Sequence, residues 1–156
     1  RENAGQTSAK MRAVRIVSAS NVSRRDLEQR LVRKGESEAQ ARAAVQWMED
    51  LNLLDDGETA RQIVSRCAAQ GYGISRAKQM LYEKKIPKEL WNDALEDFPD
   101  QTAHILKFLE TKITDHADQK QIKRAIDALM RRGHSYGDVR RALSRLTAEA
   151  DYFLEE

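Results

Sequence analysis

The chain has few of the residues that interrupt helices or cross-link a fold. Its 156 residues include one cysteine, two prolines and seven glycines. The single Cys67 excludes a disulfide framework and fits a reducing compartment, so we expect a cytoplasmic protein in which Cys67 is buried as a small apolar residue. With so little proline and glycine, the composition predicts an all-α fold.

Long hydrophobic runs and catalytic motifs are lacking as well. No run approaches the roughly 18–20 apolar residues of a membrane span, so we expect no membrane partner. His104, His116 and His134 have no metal-ligand spacing with one another or with Cys67. Neither a glycine-rich phosphate loop nor a nucleophile with a matched base can be assembled. The sequence therefore predicts neither metal nor cofactor, and a binding protein rather than an enzyme.

What the chain does have is one pattern that occurs three times. Residues 26–48, 76–98 and 124–146 superpose without a gap, at offsets of 50 and then 48 residues. Their apolar positions recur at spacings of three and four residues, which places them on one face of a helix. The matched sets are Leu27/Ala77/Ala125, Leu31/Leu81/Leu129, Ala41/Trp91/Val139, Ala44/Ala94/Ala142, Val45/Leu95/Leu143 and Met48/Phe98/Leu146. Such a repeat is typical of a linear array whose neighbours share a core.

The ends of the helices can be located in each copy. Serines at capping-box spacing precede predicted helices at Ser23, Ser37 and Ser135. Glycines stand where a helix would end in a left-handed residue, at Gly35, Gly71 and Gly133. A further helix opens each copy, near residues 11–20, 58–70 and 101–113.

These boundaries divide the chain into five predicted segments. They are a disordered N-terminal segment (1–10), three three-helix repeats (11–56, 57–99 and 100–147) and an acidic C-terminal tail (148–156). Each repeat is too small to be very stable alone, so stacking against its neighbours would supply the remaining stability.

Trp91 occupies a repeated core position. Trp47 aligns with Asp97 and Arg145, which should be exposed, so we expect Trp47 to pack on the next repeat.

Charge alternates along the chain in step with the repeats, although the net charge is only +2. Basic residues concentrate in residues 23–34, 66–88 and 120–145, and the segments between them are acidic. If equivalent helices line one side of the array, one face is basic and another acidic. Such a surface suits a nucleoprotein partner, which offers both phosphate and charged protein surface. The alternative is a solvated surface of balanced charge.

One part of the chain resembles a known family. Residues 53–56 (LLDD), Ala60 and residues 65–81 (SRCAAQGYGISRAKQML) resemble the signature of the RecX regulatory proteins. The similarity extends over about residues 12–146. The chain departs from the family pattern at three positions. Thr59 stands where an aromatic residue is usual, Lys85 replaces the turn glycine, and Glu36 replaces an apolar residue.

The resemblance implies three tandem three-helix repeats in a curved, elongated array that lies in the groove of the RecA filament on single-stranded DNA. It further implies inhibition of RecA ATPase, strand exchange and co-protease activity, and thereby modulation of DNA repair and the SOS response. We expect a monomer that binds single-stranded DNA weakly, electrostatically and without sequence specificity, because few aromatic residues interleave with the basic ones. The expected contacts with RecA or DNA are Arg24, Arg25, Arg66, Tyr72, Arg76, Lys78, Lys123, Arg124, Arg131, Arg132, Arg140 and Arg141.

Two other functions fit the residues less well. A helix-turn-helix transcriptional regulator also pairs helices across a short turn that contains glycine. Three copies tied to a shared core are unusual for such a regulator, and no second helix concentrates Asn, Gln and Arg at its start. A helical-repeat scaffold for unrelated proteins would bind neither DNA nor a filament.

Overall fold

The computed structural model describes the backbone of residues 4–155 and the side-chain surroundings of residues 4–148. Within residues 4–155 every regular element is helical, which confirms the predicted all-α class. The helices are α1 (Ala4–Ala19), α2 (Arg24–Arg33), α3 (Glu38–Asp50), α4 (Asp56–Ala69), α5 (Ile74–Glu83), a 3₁₀ turn (Lys88–Leu90) that leads into α6 (Trp91–Leu95), α7 (Thr102–Lys112), α8 (Gln119–Arg131) and α9 (Tyr136–Glu155). They supply three helices to each predicted repeat, whose boundaries stay a prediction.

The chain forms two compact units. The first comprises the chain up to Ile63 together with Met80–Glu96. Its core is formed where α1, α2 and α3 pack on one another. The buried residues of this core are Ala9, Ala13, Val22, Leu27, Leu31, Ala41, Ala44, Val45, Met48 and Leu54. They include every predicted apolar position of the first repeat.

The second unit comprises Val64–Gln79 and Asp97–Glu156. Here α7, α8 and α9 pack pairwise. The buried residues of their core are Ile105, Leu109, Ile113, Ala125, Leu129, Val139, Ala142 and Leu146. Leu143, the remaining predicted position of the third repeat, is half-buried and packs against this cluster.

The predicted helix ends are confirmed by their hydrogen bonds. The hydroxyl oxygens of Ser23, Ser37 and Ser135 accept the backbone N–H groups of the residues three positions later, at 3.1, 3.1 and 3.0 Å. The turn glycines have left-handed φ angles of +103°, +83° and +96° at Gly35, Gly71 and Gly133. Lys85, at the turn where the resemblance led us to expect a glycine, adopts φ +60°. The turn is therefore kept without the glycine.

The structure corrects the prediction for the N-terminal segment. Residues 4–10 are not disordered, because α1 begins at Ala4 and the Ala9 side chain is fully buried in the first unit's core. The predicted disorder of residues 1–3 lies outside the described residues. The early start of α1 also changes the surroundings of Trp47, which packs on the core of the first unit. Its packing on the next repeat stays a prediction. The Lys10 ammonium of α1 lies 5.1 Å from the centre of the Trp47 ring.

The last helix of the second predicted repeat is shorter than its counterparts. Pro87 precedes a single 3₁₀ turn, and α6 then runs for only five residues. Trp91 is half-buried rather than a full core residue, and its indole Nε1–H donates to the carbonyl of Ile86 at 3.0 Å. Both tryptophans of the chain belong to the first unit.

The predicted acidic tail is helical through Glu155, as a continuation of α9. The side chains of residues 149–156 lie outside the described residues.

Candidate functional site

Two tight turns of the second unit are in direct backbone contact. The N–H of Gly73 donates to the carbonyl of Arg132 at 3.0 Å, and the N–H of Ser75 donates to the carbonyl of Gly133 at 3.2 Å. A Cβ atom added to Gly73 would lie 2.2 Å from the Gly133 oxygen, and one added to Gly133 would lie 2.4 Å from the Arg76 nitrogen. Real Cβ contacts are not that short, so only glycine fits at either position. The contact fixes the start of α5 against the end of α8.

This contact brings an aromatic ring and two arginines together. The guanidinium carbon of Arg132 lies 4.5 Å from the centre of the Tyr72 ring, and that of Arg76 lies 5.8 Å from it. Arg132 also lies 5.9 Å from the centre of the Phe108 ring, and its Nη2 donates to the Gln70 carbonyl at 3.3 Å. Cation–π contacts of this kind orient a guanidinium without neutralising its charge. We call Tyr72, Arg76, Phe108 and Arg132 the Tyr72 cluster.

Beneath the turns, His134 contributes a buried hydrogen bond. Its Nε2 lies 2.9 Å from the carbonyl oxygen of Gly71. Because a carbonyl can only accept, Nε2 carries the proton. Burial lowers the pKa of His134 below its ordinary value of 6.5, the bond to Gly71 partly opposes that effect, and the nearby Arg132 charge adds to it. A neutral imidazole thus helps to hold the turn that carries Tyr72.

Several predicted contact residues in the second unit carry exposed charge with no acidic partner in the described part of the chain. They are Arg66, Lys78, Lys123, Arg124 and Arg131. By contrast, Arg141 forms an ion pair with Asp138 on the same helix. Arg140 donates from Nη1 to the Tyr136 hydroxyl at 3.1 Å and lies 5.7 Å from the centre of that ring. Charge in this unit is therefore mostly free or placed beside aromatic rings.

In the first unit the predicted contacts differ from each other. Arg24 pairs with Glu49, and its backbone N–H donates to Asp56 Oδ1 at 2.7 Å. Burial raises the pKa of Asp56, while that hydrogen bond and the Arg24 charge lower it. Arg25 is exposed and has no acidic partner among the described side chains. Of this predicted pair, only Arg25 offers an unneutralised charge.

Sequence reasoning missed the aromatic side of this surface. We expected little interleaving of aromatic and basic residues, but Phe108 and Tyr136 both lie beside arginines. The Tyr136–Arg140 contact has the i, i+4 spacing of helix neighbours and was visible in the sequence. The Phe108–Arg132 contact joins residues far apart in the chain, so no local pattern indicates it.

The described residues hold neither a metal-ligand cluster nor a membrane-spanning helix. Among side chains 4–148, no three His, Cys, Asp or Glu residues come together as metal ligands. No helix in residues 4–155 is long and apolar enough to cross a membrane. Cys67 is buried, as predicted, and burial raises the pKa of its thiol, an effect that the Arg76 charge only partly offsets. A thiol in that state is a poor nucleophile.

Comparisons with known proteins point to one family. No family model matches the chain. The curated protein "Regulatory protein RecX" of Ralstonia pickettii is 30% identical over 151 residues, which cover 96% of this chain and 92% of that protein. The protein of the same name from Vibrio campbellii is 29% identical over 140 residues, with 88% and 90% covered.

Solved structures agree on the fold. The crystal structure of RecX from Lactobacillus salivarius matches with a TM-score of 0.82 at 19% identity and covers 92% of this chain and 97% of that one. A second RecX crystal structure matches with a TM-score of 0.77 at 18% identity, over 90% and 72% of the two chains. The chain has the helical fold of these structures and aligns over nearly its whole length with the Ralstonia protein, and it belongs to the RecX family of regulatory proteins.

Proposed function

We propose that this protein binds the RecA filament on single-stranded DNA in its groove and inhibits RecA ATPase, strand exchange and co-protease activity. It would thereby modulate DNA repair and the SOS response in the cytoplasm. The observation that carries the proposal is family membership, which rests on 30% identity over 96% of the chain. A regulator of this kind needs no catalytic group of its own. The alternative of a helix-turn-helix transcriptional regulator is not favoured, because the relatives and the structural neighbours are RecX proteins.

We assign the main contact to the Tyr72 cluster and to five exposed cations of the same unit: Arg66, Lys78, Lys123, Arg124 and Arg131. An aromatic ring flanked by arginines can stack against a base, while guanidinium groups bind phosphate or carboxylate oxygens in bidentate fashion. The interlocked turns at Gly73 and Gly133 hold these groups in place. A contact surface that is ordered before binding loses less conformational entropy on association. The cluster therefore suits a charged partner surface better than flexible lysines would.

Inhibition follows from binding if the regulator has different affinities for two states of the filament. A ligand shifts a conformational equilibrium only by its differential affinity for the two states. A protein bound across a junction between RecA subunits would favour one arrangement of that junction and so slow ATP hydrolysis. Each exposed ion pair contributes under about 1 kcal/mol. Several such contacts on one body reinforce one another through effective concentration.

Charge reversal in the second unit tests this proposal. We expect Arg76→Glu with Lys78→Glu to weaken inhibition of RecA ATPase on single-stranded DNA. Adding Arg131→Glu and Arg132→Glu should weaken it more than roughly tenfold, because repulsion replaces several attractive contacts at once. The measurement is the concentration of protein that halves the ATPase rate, with circular dichroism to confirm helix content.

A matched variant separates position from net charge. Lys107→Glu with Lys120→Glu makes the same charge change on exposed residues of the same unit, outside the predicted contact set. We expect it to inhibit nearly as well as the parent protein. Full inhibition by the folded variant with four reversals would move the contact to the acidic or apolar surface.

A further inference from the structure

The first unit contains a cleft that sequence reasoning did not identify. It has a volume of about 560 Å³ and lies between the second half of α1 and the end of α2. Four cationic side chains line it, together with an apolar floor and one hydroxyl. The lining residues are Arg12, Arg15, Ile16, Ala19, Ser20, Arg30 and Lys34. None of the four cations was among the expected contacts.

Two of these cations are held in place by the protein. Arg12 Nε lies 3.3 Å from Glu36 Oε1, and the same guanidinium donates through Nη1 to the carbonyl of Lys34. The Glu36 oxygen also accepts from the hydroxyl of Ser8 at 2.7 Å. Across the cleft, Arg30 Nη1 donates to the Ser20 hydroxyl at 3.3 Å. The guanidinium groups are thus positioned before any ligand arrives.

The carboxylates that touch these arginines are shared with other groups. Arg30 pairs with Asp26 at 3.1 Å, and Asp26 also lies 3.5 Å from the Lys85 ammonium. Arg15 and Lys34 have no acidic partner among the described side chains. Four cations against two carboxylates leave an excess of two positive charges in the cleft.

The donors in the cleft distinguish between anionic ligands. The cleft presents N–H donors from side chains and a single hydroxyl, which already donates to the Ile16 carbonyl at 3.2 Å. A peptide placed there would bury its own backbone N–H groups without acceptors, which is unfavourable. A DNA phosphodiester backbone carries acceptors and no donors. No aromatic side chain lines the cleft, so bases would not stack there.

We propose that this cleft binds two phosphates of a single DNA strand, independently of base sequence, through Arg15 and Lys34, with Arg12 and Arg30 as fixed donors. The inference deepens the proposed function, on which it rests, by giving the first unit its own strand contact. Guanidinium groups fit phosphate oxygens in a bidentate manner. The charge excess of the cleft equals the charge of two phosphodiesters.

The test is a titration of labelled oligothymidylate followed by fluorescence anisotropy, without RecA. In the variant Arg15→Gln with Lys34→Gln, two phosphate contacts are lost, so the slope of log affinity against log salt should become shallower by about 1.4. Between 50 and 200 mM salt the loss of affinity should accordingly be roughly sevenfold smaller than in the parent protein. Because no RecA is present, a failure of RecA inhibition leaves this measurement unaffected.

A control variant and a competitor identify the ligand. Arg33→Gln with Arg42→Gln removes the same charge from exposed residues outside the cleft, and its slope should change by less than about 0.7, the value of one contact. Equal changes in both variants, or none in the cleft variant, would overturn the proposal. Displacement of the strand by micromolar pyrophosphate at matched ionic strength would instead indicate a free phosphate ligand. Unchanged strand affinity with weakened RecA inhibition would assign the cleft to acidic protein surface.

Discussion

The regions around α2 and α8 have the same sequence pattern but differ in how their charges are used. Both helices are rich in arginine and lysine and occupy equivalent places in the repeat. Around α2, Arg24 and Arg30 are engaged by the carboxylates of Glu49 and Asp26. At the end of α8, Arg132 contacts two aromatic rings instead. A count of basic residues therefore does not measure the charge that is available to a partner.

The turns that end these two helices differ in a parallel way. Gly35 and Gly133 are both left-handed, with φ angles of +103° and +96°. No atom lies within 4 Å of a Cβ placed on Gly35, whereas one on Gly133 would meet the backbone of Arg76. At the equivalent turn in the middle of the chain, Lys85 adopts φ +60°. At Gly35 a residue must only adopt a left-handed backbone conformation. At Gly133 it must adopt that conformation and also have no side chain, because the Arg76 backbone occupies the space.

The largest expected effect separates these two requirements. We predict that Gly133→Ala lowers the free energy of unfolding by about 3 kcal/mol or more, because left-handed strain and overpacking both contribute. Gly35→Ala should lower it by about 1 kcal/mol, from backbone conformation alone. Urea unfolding of the two variants measures the difference. Equal losses would show that the contact between the turns contributes nothing to stability.

An intermediate effect concerns pH and distinguishes the second unit from the first. The pKa of His134 is lowered in the folded protein by burial, so the unfolded chain binds the proton more readily. Stability should therefore be fully present above pH 6.5, the ordinary His value, and should fall as the pH drops below it. His134→Gln, which keeps an N–H donor for the Gly71 carbonyl, should remove this fall. Urea midpoints across the acid range test it, and an unchanged pH profile in the variant would assign the acid sensitivity to other groups. The equivalent residue in the first unit is Glu36.

The smallest effect is expected for the ion-paired arginine of the first unit. Arg24→Gln should lower the free energy of unfolding by under about 1 kcal/mol, since the Glu49 pair is at the surface. Its neighbour provides the comparison, because Arg25→Gln removes an exposed charge with no acidic partner and should leave stability unchanged. The difference should shrink in high salt, which screens surface charges. A difference that persists in high salt would mean that Arg24 acts through packing.

Local features of this fold were predictable, and long-range ones were not. Ser23 and Ser135 cap their helices as the sequence indicates, because a cap depends on residues only three positions apart. The start of α1 was missed because its first turns carry small and polar residues, and only Ala9 contributes buried surface there. An alanine gives too weak a periodic signal to predict a helix.

The candidate site was predictable in composition but not in arrangement. Tyr72 and Arg132 were both expected contacts, yet their stacking depends on two glycines 60 residues apart in the chain, Gly73 and Gly133. Likewise, the Arg24 guanidinium pairs with Glu49 at the end of α3, and the Arg24 backbone N–H bonds to Asp56 at the start of α4. Both partners lie far from Arg24 in the sequence. Tertiary packing decides such pairs, and no single stretch of sequence records it.

Because of where the tryptophans lie, tryptophan fluorescence comes from one of the two units only. Trp47 and Trp91 both lie in the first unit, and Lys10 and Lys88 stand 5.1 and 6.0 Å from the centres of their rings. The second unit carries tyrosines and no tryptophan. Emission excited at the red edge of the protein absorption band therefore comes from one unit only. The parent protein can therefore report changes in the surroundings of the first unit's two tryptophan rings without an added label.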